Sequence, residues 1–489
     1  MKFSHVLPLA AASSAFVLPP QEQLQDLAIE ANHRGNDWYS EAVKEKNDLV
    51  DSLKKHYEEV EDTTLDAWSK FYDSSKSALD DAFEYASETA DSVKDKASDA
   101  SAQVESWLRT ESDDLYDSFD DPHDGPPHHG PPHHRPHHPP HHGPPNQTVY
   151  QLISESKYTT RLAKLINKYD DLVEILNSTE ANYTVFAPTD KAFEKIPKHA
   201  PEPSKEVLKA ILEYHVVDGF YPAGRVLAAH TAPTLLKGDH LAGEPKPQRV
   251  AFKIGLNGLT VNFYSRIIAI NIFGTNGVIH GVDSLILPPP NVVKIIDLFP
   301  GEFSTLELGL GKTGLLEKVN GTDHAGGTLF APSNFAFQKL GPKINAFLFS
   351  QYGLKYLRSL LEYHFAAGTL YSDAFYPVDP SKNDHDDDKL PPKGVFHVDM
   401  PTMLEGRSLN VDVARFGRFI EMKINGFSRV SIQDGIAQDG VVHVVSNVII
   451  PPKNIGRPGK ESPEVWEGEE LTVEELKERL EPLLAKSDL

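Results

Sequence analysis

Apolar and polar positions follow different rhythms along this chain. From Gln21 to Leu115 apolar side chains recur at helical spacing, as in Leu49, Leu53, Tyr57, Val60, Leu65, Trp68 and Tyr72, then Leu79, Phe83, Ala86, Ala90, Val93 and Ala97, with no proline between them. That period predicts amphipathic α-helix. The stripe is thin and its second half is alanine-rich, so two roles stand open: a small bundle or stalk, or a helical docking element. Residues 122–145, rich in Pro-Pro and His-His pairs, support neither helix nor sheet, because proline fixes φ and removes a donor, and they predict a semi-extended spacer. Near the C-terminus, Glu470 to Leu484 reads as a short amphipathic helix with Thr472 as cap and Glu475 three residues on.

Beyond residue 146 the pattern repeats. Tyr183-Thr-Val-Phe-Ala-Pro-Thr-Asp-Lys-Ala-Phe193 is matched by Gly327-Thr-Leu-Phe-Ala-Pro-Ser-Asn-Phe-Ala-Phe337, and Leu-Glu-Tyr-His occurs at 212–215 and 361–364. Each copy closes with Asn276-Gly-Val-Ile-His-Gly-Val or Asp439-Gly-Val-Val-His-Val-Val, then an apolar run ending in Pro-Pro. Three blocks in one order mean two homologous domains. The interval from His364 to His443 exceeds that from His215 to His280, so the second copy carries an insertion. Val185-Phe186 and Leu329-Phe330 read as short buried strands stopped by proline. Thr189/Asp190 and Ser333/Asn334 offer side-chain oxygens to the amides of the next helix, with Phe193 and Phe337 on its inner face. Asn-Gly and Asp-Gly at 276–277 and 439–440 are two-residue hairpin turns.

Charge narrows the partners. A net charge of -23 argues against nucleic acid, which needs clustered Lys and Arg, and disfavours acidic substrates. Residues 21–121 carry 10 basic and 28 acidic side chains, so most of the imbalance sits there, and an acidic helix face disfavours anionic lipid. The absence of cysteine removes disulfides, thiol catalysis and thiolate zinc sites. Lys2 before the apolar stretch Val6 to Val17, with small residues from Ala11 to Ala15, has the layout of a signal peptide over 1–17. No other stretch is apolar enough to span a membrane, so a soluble mature protein is expected. Four sequons, at Asn146, Asn177, Asn182 and Asn320, agree with the secretory route and make a glycoprotein the expectation.

The Phe-Ala-Pro-Thr/Ser-Asp/Asn-x-Ala-Phe block, the Tyr-His pair and the Gly-Val-Ile/Val-His block resemble fasciclin domains, over residues 147–289 and 290–452. The resemblance implies an α+β fold, helices packed on a wedge of β-strands, in two tandem copies. These follow the acidic helical region 18–121 and the linker 122–146, and the tail 453–489 comes after them. It implies a secreted or cell-surface binding module in adhesion, extracellular matrix or the cell wall, with a surface protein or glycan as partner, and no enzyme. It also implies partner binding through Asp190, Phe193, Tyr214, His215, Tyr363 and His364, although Asn334 and Phe335 stand where the first copy has Asp190 and Lys191. The style of leader and spacer suggests a fungal secreted protein, with the vacuole lumen as alternative destination.

The candidate chemistry is sparse. His128, His129, His133, His134, His137, His138, His141 and His142 are paired imidazoles on a flexible chain, suited to weak zinc or copper capture or to charging near pH 5 to 6. A solvated linker is the bland alternative, and no other cofactor is expected. His215, His280, His364 and His443 read as buried partners of backbone carbonyls. Asp384-His-Asp-Asp-Asp388 lacks the glycine and terminal glutamate of a calcium loop and reads as a charged loop. Gly309-Leu-Gly-Lys-Thr313 lacks the first glycine of a phosphate loop. The function this favours is adhesion, with a metal-sequestering or pH-responsive spacer as alternative and a hydrolase with an unrecognised cleft as a distant third.

Overall fold

Two copies of one α+β unit follow each other in the computed structural model, which describes residues 145–196, 203–238, 241, 246–255, 258–320, 326–374, 394–416, 419–453, 466 and 471–484. The leader, the acidic helical region and the His/Pro spacer up to residue 144 lie outside the described residues, as does the acidic loop at 384–388.

In the first copy α1 (Val149–Glu155), α2 (Thr160–Ile166) and α3 (Asp170–Asn177) lead into β1 (Tyr183–Pro188). A 3-10 turn (Ala192–Lys195), α4 (Lys205–Tyr214), β2 (Val216–Asp218) and α5 (Ala223–Ala229) follow. The strands β3 (Thr231–Gly238), β4 (Lys246–Gly255), β5 (Gly258–Val261), β6 (Ser265–Gly274) and β7 (Gly277–Val282) complete it. The seven strands close into a barrel in chain order, sealed by parallel pairing of β1 with β7. A strand buried on both faces has no polar alternation, and Gly277–Val282 is buried throughout, His280 included.

The second copy repeats the plan: α6 (Val292–Leu298), α7 (Pro300–Lys312), α8 (Leu315–Asn320), β8 (Gly327–Pro332), α9 (Asn334–Lys339), α10 (Pro342–Leu348), α11 (Leu354–Glu362), β9 (Phe365–Ala367) and β10 (Gly394–Pro401). Then come β11 (Ser408–Phe416), β12 (Phe419–Ile424), β13 (Ser428–Ala437), β14 (Gly440–Val445) and α12 (Val473–Leu484). Its strand order is β10-β11-β12-β13-β14-β8-β9, and among the described residues the ends meet through the bridge Ala366↔Thr402 and the bond from the Met403 amide to the Phe365 carbonyl at 2.8 Å. The insertion read in the sequence therefore enters between β9 and β10, where the first copy pairs β2 with β3.

Each copy buries its apolar faces differently. The first holds two clusters, one under the helices around Ile153, Leu172 and Leu176, the other inside the barrel around Phe186, Val250 and Val261. The second forms one core that also takes Trp466 and Leu476, Leu480, Leu483 and Leu484 of α12. The C-terminal helix thus docks on the second domain, opened by a reciprocal cap: the Glu475 amide donates to Thr472 Oγ1 at 3.2 Å and the Thr472 amide to Glu475 Oε2 at 3.0 Å.

The two-residue hairpin loops expected at Asn276-Gly277 and Asp439-Gly440 fall one residue earlier, on Thr275-Asn276 and Gln438-Asp439, and the glycines instead open β7 and β14, paired with Gly274 and Ala437. Gly277 (φ 153°) and Gly440 (φ 154°) lie where a Cβ would fall 1.9 Å from the Tyr183 carbonyl oxygen and 2.2 Å from that of Gly327. In the first turn Asn276, 1% exposed, ties three segments together. Its Oδ1 accepts from the Val149 amide at 2.9 Å, and its Nδ2 donates to the carbonyls of Leu176 and Ser178 at 2.9 and 2.6 Å.

One sequence expectation fails in half. Ser333 Oγ does accept from the Ala336 amide at 3.1 Å and caps α9, but the first copy forms only the 3-10 turn, with no side-chain cap. Asp190 points backward instead, accepting from the Arg161 amide at 2.8 Å and from Thr160 Oγ1 at 2.7 Å, so it caps α2, a helix that precedes it. Asn334 makes the equivalent contact, accepting from the Thr305 amide at 2.9 Å.

Asn276→Ala leaves one buried amide and two carbonyls without partners, and is expected to lower stability by about 3 kcal/mol in urea unfolding. A loss below about 1 kcal/mol would show that the three segments are held by packing alone.

Candidate functional site

The repeated Tyr-His pairs end helices α4 and α11, and the structure turns them inward. Tyr214 and Tyr363 are 0% exposed, and His215 and His364 are 2% and 0% exposed. The Tyr214 hydroxyl donates to the Arg249 carbonyl at 2.8 Å and accepts from Asn262 Nδ2 at 2.9 Å. Tyr363 repeats this with the Ser408 carbonyl at 3.1 Å and Asn425 Nδ2 at 3.0 Å. The four side chains named for partner binding are thus each sealed inside their own domain with their polar atoms engaged. Asn262 and Asn425, at φ 50° and 51°, are the partners that sequence reasoning missed. Their recurrence at one place in both copies is the signal that would have found them.

The histidines form two opposed classes in each domain. Nδ1 of His215 and of His364 bonds the Ile211 and Leu360 carbonyls at 2.7 and 2.8 Å, while Nε2 accepts from the Ile286 and Ile449 amides, each at 2.9 Å. An acceptor facing one nitrogen and a donor facing the other fix the neutral Nδ1–H tautomer. His280 and His443 are the reverse. Nε2 bonds the Tyr221 and Leu370 carbonyls at 2.8 Å, and Nδ1 accepts from the Asn271 and Asp434 amides at 3.4 and 3.2 Å. Burial holds His215, His280 and His364 down to about 4, and also lowers His443.

The other sequence candidates are scattered. Phe193 is 9% exposed and packs into the helical cluster, and Asp190 serves as the cap described above. Asn146, Asn177 and Asn182 are exposed, and Asn276 draws their segments to one end of the first domain. Thr148 Oγ1, from the first sequon, donates to Asn177 Oδ1 at 2.8 Å. The side chain of Asn320 and the spacer histidines 128–142 lie outside the described residues. Among the described residues no group of three or more His, Cys, Asp or Glu is arranged to hold a metal ion, and no helix is long and apolar enough to cross a membrane.

A second feature escaped the sequence altogether. Charged side chains from the two domains meet, the carboxylates out of water and the cations partly exposed. Asp373, 6% exposed, accepts from the Thr231 amide at 3.0 Å and Oγ1 at 2.9 Å, with Arg249 Nη2 at 3.6 Å. Asp434, 0% exposed, accepts from the Ser372 amide at 2.8 Å and faces Lys253 Nζ at 3.6 Å. Gln248 Nε2 donates to the Gln438 carbonyl at 2.8 Å, and Arg415 Nη2 to the Ala228 carbonyl at 2.6 Å. Burial raises Asp373 to about 6 despite Arg249, whereas at Asp434 the Lys253 ammonium and the hydrogen bonds from Ser372 outweigh burial and the carboxyl lies below its ordinary range.

Comparison with known proteins adds the following. The Fasciclin domain model matches residues 157–288 and 301–451. Aurofusarin biosynthesis cluster protein S of Gibberella zeae is 31% identical over 322 residues, 63% of this chain and 78% of the relative. Transforming growth factor-beta-induced protein ig-h3 of Sus scrofa is 27% identical over 276 residues, 55% of this chain and 35% of the relative. A solved FAS1 domain pair from the insect cell adhesion molecule fasciclin I aligns over 61% of this chain and 95% of its own, at 17% identity and a TM-score of 0.30.

The histidines give a test with a defined sign. An imidazole whose pKa falls from 6.5 to about 4 on folding stabilises the fold fully above pH 6.5 and loses that contribution as pH falls toward 4, by roughly 3 kcal/mol in all. His364→Gln is thus expected to be destabilised by about 2 kcal/mol at pH 7.5 in urea unfolding, with the gap to the wild type closing as pH drops from 6.5 to 4. A gap independent of pH would mean that the ring titrates alike in folded and unfolded chains.

Proposed function

The chain belongs to the fasciclin domain family, and from that footing we propose that it is a secreted, non-catalytic adhesion protein whose two domains bind a cell-surface or cell-wall protein or glycan. Fasciclin domains occur in adhesion and matrix proteins, which supports the general role. The observation that carries the non-catalytic reading is the fate of the repeated residues. All four histidines and both tyrosines are buried with their polar atoms engaged by the backbone or an asparagine. A neutral imidazole whose N–H is held by a carbonyl and whose lone pair is held by an amide offers neither to a substrate. Recognition then falls to the outer surface. Tyr158, Phe335 and Tyr352, 63%, 53% and 81% exposed, offer aromatic contacts there.

Glycans at Asn146, Asn177 and Asn182 would cover one end of the first domain. Expression through a eukaryotic secretory route, followed by peptide mass mapping, is expected to show all three occupied. Purified protein is expected to sediment with isolated fungal cell walls, and its retention in the supernatant with every wall fraction would overturn the adhesion reading. For the spacer we expect about micromolar zinc or copper binding in isothermal titration near pH 7.5, lost near pH 5.5 and in a chain lacking residues 122–145. Equal heats with and without the spacer would remove it as a metal site.

One observation favours a second reading. The Gibberella zeae relative takes its name from a biosynthesis cluster, so this chain would serve a biosynthetic process in place of adhesion. Restoration of aurofusarin production in a strain lacking that relative, by this chain, would separate the two.

A further inference from the structure

We propose that the two domains are joined by a charge key that fits one pairing only, and that neither outer end of the pair can accept a further copy of the chain. The key has a basic half on the first domain, Arg249 and Lys253 on β4 with Thr231 on β3, and an acidic half on the second, Asp373 and Asp434. Both carboxylates are nearly or fully out of water and both accept amide hydrogen bonds. Removing one charge would strand its partner in the interface, which costs far more than the pair itself contributes.

The internal repeat shows what stands at the same places on the two outer ends. The Tyr-His and Asn/Asp-Gly blocks set Asp373 against Gly224 and Asp434 against Asn271. The match is structural as well. Asn271 and Asp434 share a left-handed backbone, φ 55° and 59°, and each donates its amide to the histidine of the next strand. Asn271 Oδ1 accepts from the Ala223 amide as Asp434 Oδ1 accepts from that of Ser372. The outer end of the first domain therefore keeps the architecture of the acidic half without either charge.

At the other outer end the basic half is reversed. Strand pairing sets Thr231, Arg249 and Lys253 against Asp399, Ser408 and Asp412. Asp399 and Asp412 are 64% and 38% exposed and flank His397, at 3.5 and 2.7 Å. A second chain approaching head to tail would bring Arg225, engaged by the Phe220 carbonyl and the Tyr221 ring, towards Asp399 and Asp412, both engaged by His397, so neither buried pair of the key would be reproduced. The first domain's outer end is also the one where Asn276 gathers Asn146, Asn177 and Asn182; any glycans there, which rest on the reading above, would add a steric bar. Heterologous contacts that do not close make filaments, and this chain presents complementary halves only to itself.

Two experiments test this with the residue 145–489 protein and the full chain side by side. Arg249→Glu is expected to raise hydrogen exchange at the Thr231 amide about a hundredfold and to split one thermal unfolding transition into two, with Arg249→Glu/Asp373→Arg recovering at least part of both. No change in R249E, or a double variant no better than the single, would overturn the key. For the ends, Gly224→Asp/Asn271→Asp/Asp399→Thr/Ser408→Arg/Asp412→Lys rebuilds both halves; a Cβ at Gly224 meets nothing within 4 Å. This variant is expected to form concentration-dependent head-to-tail oligomers in sedimentation velocity while the wild type does not. Wild-type oligomers abolished by Asp412→Lys, or a folded rebuilt variant that stays monomeric, would sink the proposal. Neither readout depends on adhesion, so failure here and failure of the adhesion reading are distinguishable.

Discussion

Each domain depends on a parallel pairing between its first strand and its last. Parallel neighbours cannot be joined by a hairpin, so β1 meets β7, and β8 meets β14, only after the whole domain has been threaded between them. The entropy of that closure is offset at one place, the turn that starts the last strand. Gly277 and Gly440 let the strand start against its partner's backbone, and Asn276 or Asp439 anchors the incoming helix by accepting from Val149 or Val292. The histidine three residues on then bonds the segment after β2 or β9. The motif at the end of each copy is therefore a closure device, and its polar atoms face the core because that is where closure happens.

The same constraint explains why two histidines per domain are neutral. A charged imidazole would put a second N–H against an amide donor, at a depth where no water can intervene. Burial and geometry thus agree on one tautomer for each ring. What resembles acid–base equipment in the sequence is a set of rigid hydrogen-bond bridges between elements far apart in the chain.

The junction between the domains obeys a different balance. Exposed ion pairs such as Lys209 with Asp171 contribute little, since solvent screens them and two long side chains must be ordered. Asp373 and Asp434 are desolvated, and their value lies in what they forbid: any packing of the two domains that leaves either carboxylate without its cation and amide donors. Each carboxylate therefore ties the second domain to a named cation and amide donor of the first or of its own domain.

The α+β class of the domains came from the family resemblance, and their closing turns were placed one residue too late. By itself the sequence determined the number of repeated domains and their inward-facing aromatics. These follow from local rules: Gly at a forbidden φ, Pro ending a strand, a capping pair at Thr472 and Glu475, and a repeat that shows which residues the fold demands twice. It also marked Tyr214, His215, Tyr363 and His364 as special, but not which way they face, because a Tyr-His pair at a helix end looks the same whether it meets a receptor or a carbonyl oxygen. Asp190 went astray for the same reason, capping a helix thirty residues earlier in place of the next one. Only the tertiary structure decided the pairing of Arg249 with Asp373 and of Lys253 with Asp434. Those charges lie far apart in sequence and differ between the copies, so no periodicity or motif records them; they become partners when two closed domains bring their surfaces together.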